Sequence, residues 1–195
     1  MNINVIGTGN VGSVLARRFA EAGHRVTTAN TATGVELSAR QAAEAELTVL
    51  AVPFGAVAEL ADEVKAALVG RIVVDATNPL AADFMSLTVG HTTSGGEQVA
   101  AALPGATVVK AFNTVMAGGM ETGSFGGLRL LLPVAGDDRA AVKTVVELGA
   151  ELGFDAVDAG PLGNARYLEP AVELLIQLAF GQGLGAGIGF ALARA

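Results

Sequence analysis

The sequence predicts an α/β protein with a mostly parallel, doubly wound sheet. Short β-branched runs alternate with longer alanine-rich segments along most of the 195 residues, which is typical of repeated strand–helix–strand units. Half of the residues are hydrophobic, and the excess is in Ala, Val, Leu and Gly, as expected for buried parallel strands and the helices that cover them. The end of the chain breaks the alternation, so we predict a domain at 1–160 and a small C-terminal helical extension at 161–195.

Eight segments are predicted to be strands because runs of apolar and β-branched residues are bounded by turn residues. The shortest is three residues long, and the fourth stops at a proline, which cannot donate a hydrogen bond to a strand ladder. The predicted strands lie at 3–6, 25–29, 35–37, 47–52, 71–76, 107–111, 128–135 and 154–157.

Capping residues predict where several of the intervening helices begin and end. SARQ at 38–41 and SGGE at 94–97 match the capping box, so helices are expected to start after each serine. Asp137 or Asp138 is expected to cap a helix that runs to about residue 152. Gly70 is expected to end a helix at 54–68. The other predicted helices lie at 10–22, 95–103 and 166–180.

Composition and charge argue against several classes of function. The net charge is −7, and the 12 Lys and Arg residues are scattered, so no basic surface for nucleic acid is predicted. The absence of cysteine excludes disulfides, thiol catalysis and Cys-ligated metal sites. Mean hydropathy is +0.52, but no apolar run approaches the roughly 20 residues of a spanning helix. No signal peptide precedes the first strand, so a cytoplasmic location is expected by default.

A G-x-G-x-x-G motif lies between the first predicted strand and the first predicted helix. Gly7 permits a tight turn, Gly9 lets the backbone approach a pyrophosphate, and Gly12 lets helix and strand pack closely. The helix start offers free N–H groups and a partial positive charge to phosphates. An ordinary glycine-rich turn is the alternative, but the strand–loop–helix context favours a Rossmann-type dinucleotide site. The predicted contacts are Gly7, Thr8, Gly9, Asn10, Val11 and Gly12.

The loop after the second strand lacks the residue that usually selects the dinucleotide. An acid at this point binds the ribose hydroxyls of NAD, and an arginine accommodates the 2′-phosphate of NADP. Here Asn30 is followed by Thr31 and Thr33, which can donate hydrogen bonds to a phosphate without the charge of an arginine. Arg40 is a candidate cation if the loop brings it near. We therefore predict NADP(H) with a weakened preference, and NAD(H) stays open.

The ends of three later strands are predicted to complete the site. Ligands of open α/β sheets bind beyond the carboxyl ends of the strands, and these ends carry small, apolar or amide side chains that suit a nicotinamide ring. Asn78 with Pro79 is alternatively a simple turn, and Asn113 alternatively a helix cap. The predicted residues of this rim are Ala51, Val52, Pro53, Asn78, Pro79, Ala111 and Asn113.

Side chains for proton transfer are scarce, so no catalytic residue and no metal site is predicted. The only tyrosine, Tyr167, has no lysine four residues later. His24 is expected to be structural, and His91 is a candidate for the cleft. Hydride transfer between two redox rings requires mainly that they be held face to face. This balance favours transfer between two coenzymes over dehydrogenation of a simple alcohol.

Six segments resemble the family of NADPH-dependent coenzyme F420 reductases, which in turn resembles the reductase domain of the STEAP metalloreductases. The resemblance implies a Rossmann domain, a C-terminal extension that forms a homodimer, and NADPH at residues 7–12. It also implies a nicotinamide near Val52, Pro53, Asn78 and Asn113, stacked on F420 or a flavin. The family's arginine after Asn30 is missing. The segments are VIGTGNVGSVLARRFAEAGHRV, VVDATNPL, VGHTTSGGEQVA, VVKAFNTV, PVAGDD and DAGPLGNARYLEP.

The C-terminal extension combines a polar stripe with a glycine-rich tail. Glu169, Glu173 and Gln177 recur every four residues, which predicts one polar stripe on an otherwise apolar helix. The tail at 181–195 is expected to be helical or loose. Its five alternate glycines suggest close approach to a partner subunit or to the second coenzyme.

Two other functions remain as alternatives to the two-coenzyme oxidoreductase. One is a non-enzymatic NAD(P)-binding regulatory module. The other is an NAD(P)-dependent reductase of another small acceptor, of the hydroxyacid or imine type. Such enzymes usually carry a large helical domain, for which 195 residues leave no room.

Overall fold

A computed structural model describes all 195 residues, Met1–Ala195, and contains nine strands and seven α-helices. The strands are β1 (Asn2–Ile6), β2 (Arg25–Ala29), β3 (Leu47–Leu50), β4 (Ile72–Asp75), β5 (Thr107–Lys110), β6 (Ser124–Phe125), β7 (Leu128–Arg129), β8 (Leu131–Gly136) and β9 (Asp155–Asp158). The helices are α1 (Asn10–Glu21), α2 (Val35–Glu44), α3 (Asp62–Ala67), α4 (Gly95–Ala102), α5 (Ala117–Met120), α6 (Arg139–Glu151) and α7 (Ala165–Ile176).

Seven strands form one sheet in the order β2-β1-β3-β4-β5-β8-β9. All neighbours are parallel except β5 and β8, which are antiparallel. After β1 the chain continues into β2 on one side and into β3 on the other, so the strand order reverses at β1. The carboxyl ends of β1, β3, β4 and β5 therefore meet along one rim, and the predicted doubly wound, mostly parallel sheet is confirmed.

Two hydrophobic layers cover the sheet because successive strand residues point to opposite faces. Residues of α1 and α6 pack on one face in a core of 22 buried residues that includes Phe19, Phe112 and Phe154. Residues of α2, α3 and α4 pack on the other face in a core of 12 that includes Ala42 and Leu68.

The predictions of a short strand at 35–37 and of a helix start after Ser38 are wrong. Helix α2 begins at Val35 with Gly34 as its N-cap, and Ser38 is buried inside the helix. Asn30 closes a turn by accepting hydrogen bonds from the N–H groups of Ala32 and Thr33, which allows the helix to start immediately after it. The β-branched signal at 35–37 was misleading because Val35 lies on an exposed helical turn.

The predicted helix at 54–68 is two separate pieces. A single 3-10 turn spans Phe54–Val57, and α3 starts only at Asp62 because Ala61 has an extended backbone. The predicted strand at 128–135 is likewise divided into β7 and β8.

Two capping predictions agree with the structure. Ser94 caps α4 by accepting a hydrogen bond from the N–H of Glu97, and Asp138 caps α6 by accepting one from Ala141. Both are correct because a cap depends on residues that are close in sequence. Gly70 has φ +72° but is not the cap expected there: α3 has Leu68 as its C-cap, and the N–H of Gly70 donates to the carbonyl of Gly105.

The glycine-rich tail is not helical. Helix α7 ends in one π-helical turn, Gln177–Gly181, and Gly183 and Gly185 then take positive φ values that a helix does not allow. The tail packs against its own chain, where the carbonyl of Phe190 accepts a hydrogen bond from the N–H of Leu131 at 2.8 Å. Among all the helices, none is long and apolar enough to span a membrane.

Candidate dinucleotide-binding site

The glycine loop after β1 has the shape of a phosphate cradle. Gly7 has φ +107°, and a Cβ on it would lie 2.2 Å from the carbonyl oxygen of Ala51. A Cβ on Gly12 would lie 1.9 Å from the carbonyl oxygen of Gly7, whereas one on Gly9 would meet no atom within 4 Å. The outer edge of the loop, at Thr8, Gly9 and Asn10, is exposed. The loop is therefore tight on its inner side and open where a phosphate would approach.

The first turn of α1 leaves N–H groups available to a ligand. Gly9 is the N-cap and offers no side chain to satisfy them, and the first N–H with a helical partner is that of Ser13. The free N–H groups of Asn10, Val11 and Gly12 therefore give this helix end a partial positive charge.

The loop after β2 is held together by its own hydrogen bonds. The Nδ2 of Asn30 donates to Oγ1 of Thr8 at 3.0 Å, and its Oδ1 accepts from the N–H of Ala32 at 2.9 Å. Thr33 Oγ1 accepts from the N–H of Asn30 at 3.1 Å. Only the exposed hydroxyl of Thr31 makes no hydrogen bond within the chain. The structure thus joins Asn30 to the glycine loop and leaves Thr31 facing solvent.

An apolar cleft of about 330 Å³ lies between this loop and the segment after β3. Ile6, Val52 and Leu60 contribute apolar walls, as an adenine ring requires, and Glu59 places a carboxylate at the cleft. Arg40 lies on the exposed side of α2 and is not part of the lining. No arginine or lysine is present in the cleft to replace the one that the loop lacks.

Asn78 and Asn113 form a reciprocal pair at the ends of β4 and β5. Asn113 Nδ2 donates to Oδ1 of Asn78 at 3.1 Å, and Asn78 Nδ2 donates to the backbone carbonyl of Asn113 at 3.0 Å. Asn113 does not cap the next helix, because α5 begins at Ala117 with Met116 as its N-cap. The rim therefore uses these two amides to hold its loops together.

Three buried oxygens beside this pair have no hydrogen-bond partner within the protein. They belong to the side chains of Asn113, Thr77 and Thr114, each of which is less than 5% exposed. Phe112, also buried, has φ +65°, a strained conformation for a residue with a side chain. Unsatisfied polar atoms and backbone strain are both costly to a fold, and here they occur together at the ends of β4 and β5.

The other predicted rim residues differ in their exposure to solvent. Val52 and Ala51 are partly exposed and Pro53 is exposed, so they can contact a ligand. Pro79 and Ala111 are buried, and Ala111 belongs to the larger hydrophobic core. The last two therefore support the rim from below.

Beneath the rim lies a buried charge cluster that sequence reasoning missed. Lys110, at the end of β5, forms ion pairs with Asp75 at 2.8 Å and Glu169 at 2.9 Å, and all three are at most 1% exposed. A sequence signal was available, because Asp75 and Lys110 each end a strand that is buried on both faces. Opposite charges at such positions indicate a buried pair.

The predicted polar stripe on α7 does not face solvent. Glu169 is buried and accepts hydrogen bonds from the N–H groups of Gly95 and Gly96 at 2.8 and 2.9 Å. Gln177 donates to the carbonyl of Met85 and to Glu173. The stripe therefore anchors α7 to α4 and to the loop after β4.

Arg166 and Glu97 add a second, partly exposed link between α7 and α4. The guanidinium donates to both carboxylate oxygens of Glu97, at 2.8 and 2.6 Å. This hydrogen bonding, together with that from Ser94, holds the pKa of Glu97 below its ordinary value.

The two histidines have different surroundings. His24 is structural as expected: its Nε2 lies 3.0 Å from Glu151, and its ring packs edge-on against Phe19. His91 is exposed, has φ +61°, and lines a cleft of about 790 Å³ with Arg166 and Tyr167. This cleft is separate from the one beside Asn30.

The sheet, its switch point, the glycine cradle and the rim define a Rossmann-type dinucleotide-binding protein. Residues 2–79 match the family described as NADP oxidoreductase, coenzyme F420-dependent. The chain is 31% identical to the F420-dependent NADP reductase of Methanothermobacter marburgensis, over 91% of this chain and 92% of that protein. It belongs to the family of F420-dependent NADP oxidoreductases.

Two further relatives agree with this membership. A crystal structure from Arthrobacter sp. FB24, provisionally named an F420-dependent NADP reductase, aligns over 100% of both chains with a TM-score of 0.88 and 33% identity. The rat metalloreductase STEAP3 is 35% identical over 60% of this chain, but the match spans only 22% of that protein. The resemblances noted from the sequence motifs are therefore confirmed.

Proposed function

We propose that this protein transfers a hydride between NADP(H) and a flavin-like coenzyme, either F420 or FMN/FAD. The observation that carries the proposal is the amide pair Asn78–Asn113 on the same rim as an open glycine cradle. A nicotinamide carboxamide could lie beside the partly exposed Asn78 while the pyrophosphate rests on the cradle.

Each part of the dinucleotide has a set of residues suited to it. Gly7–Gly12 and the free N–H groups of α1 would hold the pyrophosphate, and the apolar cleft beside Asn30 would hold the adenine. Val52 and Pro53 would form an apolar bed for the nicotinamide. When bound, the dinucleotide supplies or accepts the hydride.

The residues of the chain would hold the nicotinamide ring in one orientation and exclude other orientations of it. Orientation alone can supply a large part of the barrier reduction when both reactants are rings held in contact. The names of the relatives support F420 as acceptor, and the partly exposed rim leaves the outer face of the nicotinamide open to a second flat ring.

We also propose that the chain forms a homodimer through its C-terminal extension. Tyr167 and Leu174 are seven residues apart, hence on one face of α7, and are 73% and 53% exposed. Phe180 and Leu184 follow and are both 61% exposed. Clustered exposed apolar side chains favour an interaction surface.

The direct test of the function is to mix the protein with NADPH and either F420 or FMN and follow the absorbance of reduced nicotinamide. We expect oxidation of NADPH that depends on the acceptor. Measurable NADPH binding without oxidation by any flavin-like acceptor would refute the enzyme proposal and favour a regulatory binding module.

A further inference from the structure

The ammonium of Lys110 is fully buried and points at the backbone of the rim. Its Nζ donates to the carbonyl oxygen of Thr77 at 2.7 Å as well as to Asp75 Oδ2 at 2.8 Å, and it lies 2.9 Å from Glu169 Oε1. An ammonium has three donors. Two of them make hydrogen bonds to oxygens, one of which is a main-chain oxygen of the nicotinamide-side loop, and Glu169 adds an ion pair.

Asp75 holds the same stretch of backbone from the other side. Its Oδ1 accepts a hydrogen bond from the N–H of Thr77 at 2.9 Å. The N–H of Thr77 is thus fixed by Asp75, and its carbonyl by Lys110. The peptide bond that follows leads directly to Asn78, whose carboxamide meets Asn113.

Glu169 connects this arrangement to the C-terminal extension. Its carboxylate is held by the N–H groups of Gly95 and Gly96 at the start of α4 and faces Lys110. A Cβ on Gly95 would lie 3.0 Å from Glu169 Oε1, so a larger residue there would crowd the carboxylate. The cluster is thereby fixed from β4, β5, α4 and α7.

Stability alone is a weak explanation for such a cluster. Burying three charges carries a desolvation penalty, and apolar side chains of similar volume often hold a fold equally well or better. An apolar core cannot, however, fix the two peptide groups that flank Thr77 by hydrogen bonds, one through its N–H and the other through its carbonyl.

We infer that Lys110, together with Asp75, is a positioning residue that sets the Thr77–Asn78 backbone and through it the amide pair at the nicotinamide. The inference rests on the proposed function. Misplacement of a reacting group by about 1 Å can cost roughly a hundredfold in rate. Loss of the cluster should therefore act on kcat while the adenosine end of the dinucleotide binds normally.

The test uses two variants of the full chain and one control. Lys110→Met removes the ammonium but leaves both acids buried without it. The double variant Asp75→Asn/Lys110→Met removes one positive and one negative charge together. Glu169 keeps its hydrogen bonds from the N–H groups of Gly95 and Gly96. The control, Lys143→Met, removes an exposed lysine whose partner Glu147 lies on the same helix. Folding is checked by circular dichroism.

Three readouts separate positioning from a general structural role. They are kcat and KM for NADPH, the fluorescence of the bound reduced nicotinamide, and the affinity for 2′,5′-ADP, which contains only the adenosine end. In the double variant we expect kcat to fall about 10- to 100-fold and nicotinamide fluorescence to approach that of free NADPH. Affinity for 2′,5′-ADP should stay within about twofold, and the control should match the native chain in all three.

The possible failures are distinguishable. If the native chain oxidises NADPH and the folded double variant has native kcat and fluorescence, the positioning role is wrong and the proposed function stands. Unfolding of the double variant would also overturn the inference, because the Asp75–Lys110 pair would then be needed to stabilise the fold. If the native chain itself does not oxidise NADPH with any flavin-like acceptor, the proposed function fails first.

Discussion

The side-chain amide of Asn30 donates a 3.0 Å hydrogen bond to Oγ1 of Thr8 and so joins the loop after β2 to the phosphate cradle. Asn30 Oδ1 is committed to the turn that follows, and one of the two Nδ2 hydrogens is committed to Thr8, so at most one N–H of Asn30 can reach a 2′-phosphate. Within this loop, Thr31 is the threonine whose hydroxyl makes no hydrogen bond in the chain.

Discrimination between NADPH and NADH should therefore be weak, and an added cation should restore it. A single neutral hydrogen bond contributes about 1 kcal/mol, which corresponds to a preference for NADPH of about tenfold or less. Thr31→Arg should raise NADPH affinity by about a further tenfold and leave NADH affinity unchanged, since an arginine–phosphate contact is charge-assisted. Titration gives the four Kd values.

Thr28→Arg is the matched control, since Thr28 is exposed on β2 and does not line the cleft. It adds the same charge and should change the preference little. A strong preference of the native chain for NADH would contradict the prediction, as would equal gains from both arginines.

Two glycines of the cradle should respond differently to the same substitution. Gly12→Ala places a Cβ 1.9 Å from the Gly7 carbonyl, so the loop must deform, and the melting temperature should fall by several degrees. Gly9→Ala meets nothing within 4 Å and has an allowed φ of −74°, so the fold should be intact. NADPH affinity should nevertheless fall in Gly9→Ala, because the new methyl occupies the side open to phosphate. Native NADPH affinity in Gly9→Ala would place the phosphates elsewhere.

Removing the Asn113 carboxamide should impair the nicotinamide end of the site. Asn113→Ala deletes the unpartnered oxygen and leaves Asn78 Oδ1 without its donor, a loss of about 1–3 kcal/mol, or roughly 5- to 150-fold in kcat/KM for NADPH. Steady-state kinetics measure this loss in kcat/KM, and the affinity for 2′,5′-ADP should not change. Asn164→Ala is the control, because that amide bonds only the carbonyl of Ala159 away from the rim. An equal kinetic loss in both variants would contradict the assignment.

Acid should weaken the link between α4 and α7. The Arg166 hydrogen bonds keep the pKa of Glu97 low, and a carboxyl with a lowered folded pKa stabilises the fold above its unfolded value of about 4.3. That contribution is lost as pH falls through the folded pKa. Glu97→Gln should therefore lower the melting temperature at about pH 7, and the difference from the native chain should close towards about pH 3.

Glu147→Gln is the control for this titration, since Glu147 pairs with Lys143 on an exposed helix face. Its melting temperature should stay close to native across the range. A native-to-Glu97→Gln difference that stays constant with pH would show that the effect is steric.

The homodimer proposal predicts that a charge on α7 dissociates the subunits. Leu174→Glu should give a monomer by light scattering, because it places a charge within the exposed apolar surface. Leu128→Glu, at a leucine of the β6–β7 hairpin that is more exposed than Leu174, should leave the dimer intact. A tail truncation after residue 180 should weaken the dimer less than Leu174→Glu, since Tyr167 and Leu174 stay in place on α7. A native chain that is monomeric at all accessible concentrations would refute the proposal.

Much of the fold could be predicted because it depends on local chemistry. The glycine spacing at 7–12 requires one particular turn, and Ser94 and Asp138 cap helices through residues three positions away. The incorrect predictions lie in segments where neighbouring residues favour different secondary structures. Residues 35–37 predict a strand but form the first turn of a helix, because their exposure depends on how α2 packs. The helix expected at 54–68 is interrupted where Ala61 has an extended backbone.

The sequence by itself determined the class of site: a glycine loop after the first strand, amides at two later strand ends, and no cation in the loop that follows Asn30. Only the tertiary structure decided what supports that site. Lys110 is 35 residues from Asp75, and Glu169 is 73 residues from Gly96. The strand-end positions of Asp75 and Lys110 indicate a buried pair, but no local pattern adds Glu169 to it, because that contact exists only once the parallel strands and α7 are packed together.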